Sequence, residues 1–203
     1  MECQSSLNDP ASLVVADASV AINLIATGFA ASILEALPNR FAVVKEVALE
    51  LENGRRQGRN DADALNTLVA AGRVDIVRLG NSGLEYFTSL VSGSVAETLD
   101  DGEAATIAHA LDHDAIALID ERKANRICAE RYDALVIGCT IDVLSHNGVE
   151  AALGHSRLSD GVFNALYQGR MRVPPKYLNW VVNLVGHERA AQCASLPRSV
   201  RPC

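Results

Sequence analysis

Leu13-Val14-Val15-Ala16-Asp17 and Ala115-Ile116-Ala117-Leu118-Ile119-Asp120 are two short apolar runs, and each ends on an aspartate. Apolar runs of this length read as buried strands, and the stretches after them, 18–26 and 121–132, read as helices. Outward from these, 41–44, 74–79 and 134–137 read as strands. The segments 29–37, 45–52, 61–71 and 101–112 read as helices, with Asn53-Gly54 expected to cap the end of 45–52. Strands alternating with helices imply right-handed βαβ crossovers and a parallel sheet. Such sheets bind ligands outside the carboxyl ends of their strands, so the pattern alone places Asp17 and Asp120 on the ligand-binding edge.

The 203 residues are 49% hydrophobic, enough to bury a core. The expected organisation is one domain over 11–187 and a loose tail over 188–203, where periodicity is lost. No apolar run is long enough to span a bilayer. Residues 1–10 are polar and acidic, without the basic and apolar regions of a signal peptide, so a cytoplasmic location is the expectation. The five cysteines, Cys3, Cys128, Cys139, Cys193 and Cys203, are odd in number and widely spaced. That argues against a disulfide framework or a cysteine zinc site. A net charge of −7 counts mildly against nucleic-acid binding. An acidic metal pocket would lower that sum while basic patches sit elsewhere.

The acids carry the chemistry. Asp17 and Asp120 each read either as the N-cap of the following helix or as a ligand at the sheet edge. In Leu99-Asp100-Asp101-Gly102-Glu103, Asp100 or Asp101 can cap the helix, and Glu103 suits the dipole of its first turn. The small apolar run 104–110 implies a helix buried against the sheet, which makes an acid at its exposed start a candidate ligand. Glu46 and Glu50 share a helical face, either a solvated one or one turned to the site. Carboxylates without histidine or cysteine partners suit hard dications such as Mg²⁺ or Mn²⁺. These ions activate water and stabilise an in-line phosphoryl transition state.

Val14-Val15-Ala16-Asp17-Ala18-Ser19, Lys45-Glu46-Val47-Ala48-Leu49-Glu50-Leu51, Asp101-Gly102-Glu103-Ala104-Ala105 and Leu118-Ile119-Asp120-Glu121-Arg122-Lys123-Ala124 resemble, in order and spacing, the successive motifs of a PIN domain. Tyr132 to Thr140 is similar to the small-residue turn of one PIN branch. The resemblance covers roughly residues 13–186. It implies a three-layer α/β/α fold with a parallel central sheet and a metal-dependent endoribonuclease that hydrolyses RNA. It implies Asp17, Glu50, Glu103 and Asp120 as the acids that hold Mg²⁺ or Mn²⁺. Ser19, Glu46 and Asp101 are supporting candidates. Many relatives are VapC-type toxins, which implies an RNA substrate, an antitoxin protein and a homodimer as partners. The segment 80–98 and the tail look like additions to shorter toxins, which weakens the toxin expectation more than the nuclease site.

Other signals are weaker. His109 and His113 lie four apart as in zinc sites, but Ala-Leu-Asp between them lacks the glutamate of a metalloprotease helix, so surface or partly buried histidines are the expectation. Arg55, Arg56, Gln57 and Arg59 read as a solvated loop or a phosphate contact. No GxSxG, P-loop or GxGxxG motif occurs. A haloacid-type hydrolase would want an aspartate where Ser19 stands. The alternative to an enzyme is a PIN-fold module that binds RNA or protein; all four acids being present favours the enzyme.

Overall fold

Both aspartate-terminated runs are strands, and they are neighbours. In the computed structural model, which describes residues 3–56 and 58–200, β1 (Leu13–Ala16) pairs in parallel with β4 (Ile116–Leu118), Ala16 opposite Leu118. Gln57, Cys203 and the last three residues of the expected tail lie outside the described residues. The other strands are β2 (Arg40–Val44), β3 (Asp75–Val77) and β5 (Ile137–Gly138). All pairs are parallel, in the order β3-β2-β1-β4-β5.

α1 (Cys3–Ser6) precedes β1, and between the strands run α2 (Ala18–Ala26), α3 (Ala30–Glu35), α4 (Lys45–Arg55), α5 (Asp61–Ala70), α6 (Asn81–Val91), α7 (Asp101–Asp112) and α8 (Arg122–Arg131). After β5 come α9 (Thr140–Leu144), α10 (Asn147–Tyr167), α11 (Leu178–Val185) and α12 (His187–Gln192). The central parallel sheet flanked by helices is the three-layer α/β/α arrangement. No helix among the described residues is long and apolar enough to cross a membrane.

The chain divides into two compact units: 1–21 with 38–139, and 22–37 with 140–203. The first holds the sheet. Its central strands are apolar because both faces are covered: Val14, Val15, Val44, Ala117 and Leu118 are fully buried, while the edge strand β3 is largely exposed. Helix α7 packs on β1, β2 and β4. Its Ala104, Ala105, Ala108 and Ala110 are fully buried, and their small side chains let the helix approach the sheet closely.

Some boundaries differ from the sequence reading. Helix α4 continues through Asn53-Gly54 to Arg55. Gly54 is buried there, beside the Arg59 side chain. The segment 80–98 forms α6, which packs on α7. At the edge of the sheet, Cys3 sits against Gly138. A Cβ on Gly138 would fall 2.2 Å from Cys3 Sγ, so only glycine fits opposite α1. Leu7 is fully buried, and Asn39 Nδ2 donates to the carbonyls of Asp9 and Ser12 at 2.8 and 3.0 Å. The N-terminal segment is thus fastened to the first unit.

In the second unit α3 packs on α10, where Gly161 makes room for Phe29 and Arg157 lies 4.8 Å over the Phe29 ring. Asp142 is buried and accepts a hydrogen bond from Tyr177 Oη. The stretch expected to be a loose tail carries α12 and buries Ala190, Cys193 and Leu196. The four cysteines among the described residues are buried.

Candidate active site

The strand order reverses between β1 and β4, so the two crossovers leave in opposite directions and open a crevice at the carboxyl ends of these strands. Asp17 directly follows β1, and its amide donates to Leu118 O at 3.1 Å, which prolongs the ladder by one residue. Asp120 stands two residues beyond the end of β4. The turn that carries it is held by Asn125, whose Nδ2 donates to Ile119 O at 3.0 Å and to Glu121 O at 2.8 Å.

Asp17 is only 3% exposed. Its Oδ1 accepts the Val20 amide at 2.8 Å, and Ser19 Oγ lies 2.9 and 3.1 Å from the two carboxylate oxygens, donating across them. The capping reading and the site reading therefore describe the same side chain. Burial pushes its pKa up to about 8, and the charges of Asp120 and Glu103 push in the same direction. The Val20 amide and the Ser19 hydroxyl oppose the shift. No basic side chain is among the groups that set it.

Glu103 enters from the first turn of α7. Its carboxylate accepts the backbone N–H of Asp100, the N-cap, in the manner of a capping box. Burial, then Asp100 and Glu121, raise its pKa to about 7, while Lys123 works against them. Glu50 is exposed along its length, but its carboxylate reaches over Gly102 at the start of α7. Burial of that end and the nearby Asp100 raise its pKa, and Arg59 opposes this.

The structure thus brings Asp120 and Glu103 within electrostatic reach of Asp17. It joins Glu50 to them through Asp100 and Glu103 rather than through Asp17. Glu46, one turn before Glu50, has a buried Oε2 with no hydrogen-bond partner. Asp101 is exposed. Asp100 and Glu121 belong to the acidic group and were not among the expected site residues. The sequence pointed to Asp100 only as a cap, yet its side chain makes no capping bond. In the basic stretch, Arg55 pairs with Glu52 and Asp63, and Arg59 with Asp61.

The donors are all carboxylate oxygens, and the charges that raise the buried Asp17 come from Asp120 and Glu103. That set matches a hard divalent cation in chemistry and in charge. Among the described residues no three acidic, histidine or cysteine side chains converge closely enough to share an ion. The acids are neighbours rather than a closed cage.

A family model for the PIN domain matches residues 13–187. The chain belongs to the PIN-domain family. Comparison with curated proteins and with solved structures finds no match. PIN domains are generally nucleases that bind nucleic acid and use divalent metals.

Proposed function

We propose that this PIN domain is an endoribonuclease that hydrolyses RNA phosphodiesters with Mg²⁺ or Mn²⁺. The observation that carries the reading is Asp17: buried, bound by Ser19 and the Val20 amide, and raised to about 8 by burial and by the charges of Asp120 and Glu103. Asp17, Asp120 and Glu103 would hold the ion, with Glu50 reaching in over Gly102. A dication bound there would activate a water and stabilise charge on the phosphoryl oxygens.

The chain's own groups do the positioning. Val20 N–H and Ser19 Oγ fix the Asp17 carboxylate, Asn125 fixes the turn of Asp120, and the Asp100 amide holds Glu103. Lys123 lies near Glu103 on the same edge and is suited to meet a phosphate. A toxin role, paired with an antitoxin protein and exerted by a homodimer, is the finer form of this proposal.

The test is cleavage of single-stranded RNA by the full chain. Cleavage is expected with Mg²⁺ or Mn²⁺ and not in EDTA. Activity that survives complete chelation overturns the metal mechanism. RNA binding without cleavage under any divalent ion would instead make the chain a binding module.

A further inference from the structure

We propose that His109 and His113 form a second cation site, distinct in chemistry from the carboxylate crevice, that chelates a borderline divalent ion such as Zn²⁺ between two imidazoles. The two histidines stand at the C-terminal end of α7, four residues apart, on one face of the helix. Their ring centroids are 4.3 Å apart and their planes are tilted by 39°.

His109 is 4% exposed. It donates a hydrogen bond to the backbone of Arg78, and its Nδ1 is buried without any partner. The bond to Arg78 therefore uses Nε2–H, which leaves Nδ1 as a bare lone pair. A metal-ligating histidine is commonly arranged in this way, with one nitrogen tied to a backbone carbonyl and the other presented to the ion. Burial and the neighbouring His113 lower the pKa of His109, so the ring is held in its neutral, ligating form.

Asp112 adds negative charge. Its Oδ2 is 3.8 Å from His113 Nε2 and packs over Gly80 and Gly83, where a Cβ would meet it at 3.1 and 3.3 Å. His113 is exposed, so its ring is free to turn and share an ion with His109, with water completing the shell. Imidazole nitrogen selects Zn²⁺ over Mg²⁺, whose preference is oxygen. An ion there would tie the end of α7 to the Arg78 backbone, where the chain leaves β3 for α6.

The experiment is calorimetric titration of the full chain with ZnCl₂ in excess Mg²⁺, which occupies oxygen sites. It is repeated on His113→Ala and Asp17→Asn, with Co²⁺ absorption as a second readout of nitrogen ligation. One Zn²⁺ is expected to bind the unmodified chain. His113→Ala should weaken it on the order of 10–100-fold, and Asp17→Asn should leave it unchanged. His113 is exposed, so its removal tests the ligand without emptying the core. Absence of Zn²⁺ binding, unchanged binding in His113→Ala, or loss in Asp17→Asn instead would each overturn the proposal.

Discussion

Glu50 Oε2 lies 2.9 Å from the point where a Cβ on Gly102 would stand. The obstacle is the far end of a flexible side chain, so Gly102→Ala displaces the carboxylate and not the helix. Alanine in place of glycine favours α7 by up to about 1 kcal/mol. The expected outcome is a melting temperature equal to or above that of the unmodified chain, with RNA cleavage reduced. Full activity in Gly102→Ala would remove Glu50 from the mechanism.

Asp17 combines a helix cap with a site carboxylate, and two substitutions separate these roles. Asparagine keeps an oxygen for the Val20 amide, and alanine does not. Both should abolish cleavage, while Asp17→Ala should be less stable than Asp17→Asn by about 1 kcal/mol in chemical denaturation. Equal stability of the two would mean that the bond from Val20 contributes nothing to the helix. Asp120→Asn should also abolish cleavage and leave the chain folded.

The raised acids predict a pH dependence. Asp17 binds its proton more tightly in the folded chain, at about 8, than at its ordinary 3.8. Between those values the native state holds more protons than the unfolded one, so stability falls as pH rises. Glu103, at about 7, acts in the same direction. In EDTA the melting temperature should decline from pH 5 to pH 8, and Asp17→Asn should flatten that slope. Cation binding must expel these protons, so Mg²⁺ should bind more tightly at pH 8 than at pH 6, with proton release visible by calorimetry in buffers of different ionisation enthalpy.

Glu46 and Glu50 are separated by one helical turn and by opposite surroundings. Glu50→Gln is expected to lose most activity and Glu46→Gln to keep most of it. The unpartnered Glu46 Oε2 makes the pair informative. If Glu46→Gln is the inactive one, the acid of α4 that serves the site is a turn closer to β2.

The central strands β1 and β4 were legible because they are fully apolar and each run ends on an aspartate, and the exact bounds of α7 followed from the acidic cap and the alanine run behind it. Asp17 and Asp120 were legible for a local reason: an acid ending a buried strand stands out. The role of Asp100 was not. Its effect on Glu50 arises from α4 meeting the start of α7, a contact with no local signature. Gly54 misled because Asn-Gly resembles a helix stop, while α4 continues past it to Arg55. Residues 188–203 lack periodicity because α12 buries only Ala190 of them, and Cys193 and Leu196 lie beyond its end.

Cys3 against Gly138 has a practical consequence. β5 ends the sheet, and an edge strand with open amides and carbonyls is a template for intermolecular pairing. The N-terminal segment lies against that edge, ahead of the residues the family shares. Shortening the chain to 13–187 would strip this guard and invite self-association into aggregates, even with every acid of the crevice retained.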